Sequence, residues 1–340
     1  MKNRLLIILF ISSIIFSCKE DRKFPEVRNL SEFENTLFIP TLEHKISGNE
    51  NSVYCATLLF AWDEIRNRIH SPLTIPAEYS DLNFLNNSKS FIGVLKSDEY
   101  KASGEVNGDL IKARAEFSKS LPFEIKLKNF DDGLSFKGRK VSAFGVNGFD
   151  ESEMLRSVRI VYYKNDNNFI IKLIPKDKEH EIILFKTDEN FSSMAEMNQK
   201  IIELTEIGNS ERQNERINWR YRWNYEDELI IPKFNFNIET DYSTLEGTHF
   251  NANNQIFTIE KAWQRTAFIL DESGAEIESE AEIELAADAA EEEETEEPQP
   301  KKMIFDNDFL LLLKRTDTEY PYFGLWTTNT ELMIENENSE

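Results

Sequence analysis

Histidine and cysteine are almost missing from this chain: four His and two Cys occur among 340 residues. His44, His70, His180 and His249 lie far apart, without the short spacings that bring side chains onto one metal ion, so neither a metal centre nor another cofactor is expected. There is no Gly-x-Ser-x-Gly turn, no phosphate-cradling glycine loop and no paired-cysteine motif, and so no enzyme is expected. The apolar run Leu5–Phe16 is shorter than the ~20 residues of a spanning helix. Lys and Arg are absent between Arg265 and Lys301, a gap that holds twelve Glu and two Asp. Removing those fourteen charges from the net −23 leaves −9, an ordinary acidic surface. With no basic patch, nucleic acid is not an expected partner.

What the chain does have is apolar and aromatic substance. It is 40% hydrophobic with 25 Phe, enough to bury a sizeable core. Residues Ser31–Ile46 and Val53–Ile69 read as helices, with Cys55 packed inside the second. A further helical stretch is expected at Leu110–Phe117 and another at Met194–Leu204. From Leu121 onward strands dominate: Phe123–Leu127, Leu134–Phe136, Lys140–Val146, Arg156–Tyr163 and Phe169–Pro175, with Asn165–Asn168 as a hairpin turn. More strands are expected at Asn218–Trp223, Leu229–Ile238, Phe257–Trp263, Thr266–Leu270, Phe309–Lys314 and Tyr322–Thr327. Helices first and a strand-rich body after them make an α+β arrangement.

The N-terminus carries a charged segment, Met1–Arg4, before its apolar run, as signal peptides do. Ile15-Phe16-Ser17-Cys18 resembles the lipobox of bacterial lipoproteins, in which the Cys is acylated and begins the mature chain. Lys19-Glu20-Asp21 looks like the signal that sends some Gram-negative lipoproteins to the cell surface. The resemblance implies a signal peptide at 1–17, lipid on Cys18, a tether at 18–30 and an outer-membrane location facing outward. Acyl anchoring is stable because each buried methylene adds about 0.8 kcal/mol. The competing reading is a plain secretory signal cut before Cys18. With Cys18 lipidated only Cys55 remains, and no intrachain disulfide can form.

The most informative stretch is the acidic one. From Ala275 to Leu285, small or apolar residues alternate without a break with Glu276, Glu278, Glu280, Glu282 and Glu284. A period of two is the pattern of a strand with one buried face. Ala, Glu and Leu are helix formers, however, so pattern and propensity disagree, as they should in a segment with two states. The plainer alternative is an acidic linker with accidental alternation.

Around this stretch the chain resembles the serpin family. Arg156–Tyr163, the Asn165–Asn168 turn and Phe169–Pro175 are similar to its paired strands, and Ile231–Phe236 resembles its Pro-Lys-Phe strand. Leu245–Phe250 looks like a shortened segment of that family, and Ile256–Gly274 follows the strand leading into its hinge. Gln264-Arg265 stands where His-Lys is usual, and Phe305–Leu313 and Tyr322–Gly324 resemble the two closing strands. The likeness covers roughly residues 120–330. The Asn-Ala…Phe-x-Gly-x-Trp signature is absent; Phe117 with Leu121-Pro122-Phe123 is the nearest remnant, in the region that gates sheet opening.

The resemblance implies a single α+β serpin-like domain at 31–330. N-terminal helices would pack on mixed and antiparallel sheets, a long exposed reactive-centre loop would span about 274–304, and a polar tail would follow at 331–340. Its hinge would comprise Gly274, Ala275, Ile277, Ser279 and Ala281, with the cleaved bond among Ala286, Ala287, Asp288 and Ala289. Small residues there suit an elastase-like protease and Asp288 an Asp-directed one. The implied function is suicide inhibition of serine or cysteine endopeptidases: the loop is cleaved, then inserts as a strand into the central sheet. Burying Ile277, Ile283 and Leu285 would contribute roughly 1.5–3 kcal/mol each. Glu neighbours two apart would cost roughly 0.6 kcal/mol per pair, so insertion wins. Glu291–Glu297 reads as a solvated spacer or as a run steering a cationic protease. The expected partners are a target protease and the membrane, and the expected state is a monomer. Two other functions stay open: a non-inhibitory serpin-like binding protein, and an unrelated envelope lipoprotein that binds glycans or partners.

Overall fold

The computed structural model describes residues 23–107, 110–278 and 298–336. The chain opens with β1 (Arg28–Asn29), a turn of 3-10 helix, β2 (Thr36–Ile39), β3 (Asn51–Cys55), α1 (Thr57–Ile69) and α2 (Ser80–Asn87). Next come β4 (Tyr100–Asn107), β5 (Leu110–Phe117) and β6 (Lys119–Pro122), the last two separated only by Ser118. β7 (Lys128–Phe136), β8 (Arg139–Asn147), α3 (Ser152–Leu155), β9 (Val158–Asn165), β10 (Asn168–Leu173) and β11 (His180–Lys186) follow. α4 (Met194–Glu211) precedes β12 (Glu228–Pro232), β13 (Phe234–Asp241), the hairpin β14 (His249–Ala252) and β15 (Gln255–Thr258), and β16 (Trp263–Asp271). β17 (Gly274–Glu278), β18 (Lys302–Ile304), β19 (Phe309–Arg315) and β20 (Phe323–Thr327) complete it.

Three sheets carry the fold. A seven-stranded sheet has the order β2-β3-β20-β19-β11-β10-β9, a five-stranded one β1-β13-β16-β17-β6, and a four-stranded one β18-β12-β8-β7. β11 and β19 are buried at every position, which is why they read as near-continuous apolar runs and not as alternation. Phe268 against Phe323 (ring centroids 4.7 Å) and Phe234 against Phe309 (6.2 Å) join the five-stranded sheet to the seven-stranded one. α4 is capped by Ser193, whose side chain accepts from the Glu196 amide, while the Glu196 carboxylate reaches back to the Ser192 amide. It lies close on β9 at Gly208, where a Cβ would sit 2.1 Å from the Val161 carbonyl oxygen.

Mixed α and β structure is present as expected, but several elements differ from the sequence reading. Residues Ser31–Ile46 form no α-helix: Thr36–Ile39 pairs parallel to β3, and β3 pairs with β20, so the sheet overrides local preference. The expected helix at Val53–Ile69 begins only at Thr57, and Cys55 ends a buried strand. Leu110–Phe117 is a strand paired with β4, its exposed Lys112 and Arg114 alternating with inward Ala113, Ala115 and Phe117. Phe123–Leu127 contributes one bridge, Phe123 to Pro175, and Asn218–Tyr221 is a 3-10 turn, not a strand. Leu229–Ile238 divides at Lys233 between two sheets, and β15 ends at Thr258, before the expected Trp263. The polar tail is in part structural: Leu332 and Met333 are buried, and the Glu331 carboxylate accepts from the Asn35 amide and the Thr36 hydroxyl.

Candidate functional site

The segment that was expected to begin an exposed loop is instead a central strand over its first five residues. β16 runs to Asp271, whose carboxylate accepts from the Ser273 amide (2.7 Å) and folds the chain back on itself. Gly274 has φ +129°, and a Cβ there would meet the Leu121 carbonyl oxygen at 2.3 Å. Only glycine lets the two backbones come this close. The turn is held from the side as well: the Phe123 amide donates to Ser273 O and the Leu127 amide to Glu272 O, both at 2.8 Å. Lys233 Nζ reaches Glu272 Oε2 at 2.5 Å. Burial raises the Glu272 pKa, but the Lys233 hydrogen bond and charge outweigh it and leave that carboxyl below its ordinary range.

β17 then lies antiparallel to β16 on one side and to β6 on the other. Ala275 is opposite Leu270 and Leu121, and Ile277 opposite Phe268 and Lys119. Ala275 and Ile277 are fully buried, while Glu276 faces outward, where its carboxylate accepts from Ser120 Oγ (3.3 Å). Two-faced alternation does here what a period of two requires. Gly274, Ala275 and Ile277 of the sequence-derived hinge are therefore brought together, but inside the sheet and not outside it. Ser279, Ala281, Ala286, Ala287, Asp288, Ala289 and Cys18 lie outside the described residues.

On its return the chain is fastened a second time. Lys301 is fully buried with its Nζ 2.7 Å from Asp227 Oδ2, and its amide donates to Asp227 Oδ1 (2.8 Å). Burial lowers the Lys301 pKa and the Asp227 charge opposes that shift. The ammonium lies near the faces of Trp219 (5.5 Å) and Tyr163 (6.0 Å). Lys302–Ile304 then pairs parallel with β12, so 302–304 is a sheet edge and not loop.

Below β6 lies a charged cluster that the sequence reading passed over. The side chain of His180 is fully buried: Nε2 is 3.0 Å from Glu99 Oε1 and Nδ1 3.1 Å from the Tyr322 hydroxyl. The same Glu99 oxygen takes Lys119 Nζ at 2.5 Å, and Glu99 Oε2 lies 3.4 Å from Arg315 Nη1. Burial pushes the Glu99 pKa up, but hydrogen bonds from Lys119, from the Lys96 amide (2.7 Å) and from His180, with the Lys119 charge, bring it down to about 2. No local motif marks these residues, since they come from five separate places along the chain. Lys301 was more legible, being the first cation after the long acidic gap. Among the described residues no three His, Cys, Asp or Glu side chains converge as metal ligands do.

No protein-family model matches the chain, and no curated protein matches it. Similar solved structures include cleaved Serpin 42Da (TM-score 0.36, 9% identity, 73% of this chain and 61% of that one). A loop-inserted structure of a cleaved ovalbumin mutant gives TM-score 0.39 at 11% identity, over 69% and 58%. Thyroxine-binding globulin complexed with thyroxine gives 0.33 at 14% identity, over 64% and 55%. The chain thus covers less than two thirds of the length of each.

Proposed function

We propose that the chain is a serpin-type suicide inhibitor of serine or cysteine endopeptidases, anchored by lipid on Cys18 at the outer face of a bacterial envelope. It is not an enzyme. The observation that carries this reading is β17: a strand that begins an acidic, alternating ribbon and sits between two strands antiparallel to it. Its register supports further insertion. Continued without a slip, residues 279–285 would fall opposite 117–111 of β5, and 279–282 opposite 266–263 of β16. Ser279 would then face Phe117 and Thr266, Ala281 would face Ala115 and Gln264, and Ile283 would face Ala113. The alternation ends at Leu285, and β5 begins at Leu110, one position beyond its partner Ile111.

The energetics change in one respect. Ile277 is already buried, so its burial adds nothing to the gain on cleavage. Ile283 and Leu285 remain, at roughly 1.5–3 kcal/mol each, with about 1 kcal/mol for each new ladder hydrogen bond. Incubation with an elastase-like protease should give a covalent complex that survives SDS. Clean cleavage among Ala286–Ala289 at every enzyme ratio, with no complex, overturns inhibition.

The seated Ile277 also favours a second reading, a non-inhibitory serpin-like binding lipoprotein whose hinge is committed before any cleavage. Thermal unfolding before and after loop cleavage separates the two. Insertion raises the midpoint strongly, whereas a committed hinge leaves it in place.

A further inference from the structure

β6 is the end strand of its sheet, and among the described residues its strand pairing is with β17. What seats its four residues from below is therefore decisive for the hinge. Leu121 is buried there, and Lys119 sends its ammonium into the cluster under the sheet. The groups facing His180 come from every side: Glu99 before β4, Lys119 on β6, Asp177 and Glu179 before β11, Arg315 on β19, and Tyr322 before β20. Further out, Lys96 meets Glu179 (2.6 Å) and Asp317 meets Arg315 (2.5 Å).

Burial favours the neutral ring, and the hydrogen bonds then fix its tautomer. A carboxylate only accepts, so His180 Nε2–H donates to Glu99, and Nδ1 must accept from the Tyr322 hydroxyl. Protonation would turn Nδ1 into a donor and displace the buried Tyr322 O–H. It would also place a second cation on the carboxylate oxygen that already holds Lys119. Asp177 Oδ2, 3.8 Å from Lys119 Nζ, is the nearest alternative for that ammonium.

We infer that His180, acting through Glu99 and Lys119, makes the contact between β6 and β17 pH-sensitive, so that acid loosens the seat of the hinge strand. Burial and then the charge of Lys119 lower the His180 pKa, with Glu99 and Asp177 opposing them. A base with a lowered folded pKa is a destabilising passenger in acid. The seat is tightest above the ordinary imidazole value of 6.5 and weakens as pH falls below it. This inference rests on the observed seating of β17 and stands whether or not the chain inhibits a protease.

Hydrogen exchange of the full chain, read by mass spectrometry on peptides covering 119–122 and 274–278, tests it without any protease. Between pH about 7.5 and about 5.5, protection corrected for intrinsic rates should fall, by up to about tenfold. That ceiling is the ratio of charged to neutral imidazole one unit below an ordinary His pKa. Peptides from β10 should not change. His180→Gln, which keeps a donor and an acceptor, should remove the pH dependence. Lys119→Met should remove it too, while the imidazole of His180 still titrates by NMR. Protection in the native chain that is flat with pH overturns the inference, as does a pH dependence that survives either substitution. Should His180→Gln fail to fold, Lys119→Met decides alone.

Discussion

Asp227 holds Lys301 twice, one carboxylate oxygen on the ammonium at 2.7 Å and the other on the backbone amide at 2.8 Å, with both side chains fully buried. Removing one member of such a pair leaves an uncompensated buried charge, at a cost of about 3–5 kcal/mol. Asp227→Ala should therefore lower the urea stability of the chain by about that much, and Lys301→Met by a similar amount. The double substitution Asp227→Leu with Lys301→Met should be less destabilised than either single change, because no buried charge is left alone. Equal or additive losses in urea unfolding would show that the pair is not coupled.

The second pair, Lys233 and Glu272, ties the β12–β13 junction to the turn before β17. Glu272→Gln keeps the shape and removes the charge, and should cost about 1–3 kcal/mol. The sign follows from the lowered pKa of Glu272: its contribution is complete above the ordinary 4.5 and disappears as pH falls through the lower folded value. Acid titration of the native chain against Glu272→Gln, followed by thermal midpoint, should show two curves converging in strong acid. Parallel curves would remove the assignment.

The strand-rich body was legible because its strands are bounded by turn residues and carry clear apolar runs; Phe309–Leu313 and Arg156–Tyr163 are the plainest. Local preference misled where the sheet decides, most clearly in Leu110–Phe117, whose Ala, Lys, Arg and Glu are helix formers. That strand shows how alternation wins over propensity once a partner strand is present, and Ala275–Leu285 has the same period and is likewise rich in helix formers. Ala275 and Ile277 could be read from the sequence as one buried face because their alternation is local. Glu99, Lys119, His180, Arg315 and Tyr322 could not, because only the tertiary fold brings them within hydrogen-bonding distance.

Gly274 is the position least tolerant of a side chain in β17. Alanine there would hold a φ of +129° against its preference and press on the Leu121 carbonyl. Strain of this kind costs about 1–3 kcal/mol, and the clash with backbone adds to it. Gly274→Ala should lower the urea midpoint and raise hydrogen exchange at 119–122, since β6 loses its partner. Ile277→Ala, which removes a fully buried side chain, should cost about 2–5 kcal/mol without moving the turn. An unchanged midpoint in Gly274→Ala would mean that the tight approach of the two backbones is not required.

Glu99 supplies a pH window distinct from that of His180. Its side chain is only 9% exposed and its pKa is brought down to about 2 from 4.5. The folded chain therefore holds this carboxylate charged where the unfolded chain would protonate it. By the same linkage as for Glu272, its contribution is complete above 4.5 and is lost as pH falls toward 2. The size of that loss is about 3 kcal/mol, from 1.36 kcal/mol for each unit of displacement. Glu99→Gln should be less stable at neutral pH, because Lys119 and Arg315 lose a shared counter-charge, and should lack this acid-dependent loss. Urea unfolding from about pH 7 to about pH 2.5 tests both, and the His180 effect sets in first, as pH falls below 6.5. A native chain whose stability is flat from pH 4.5 downward would show that Glu99 is not held charged by its hydrogen-bond donors.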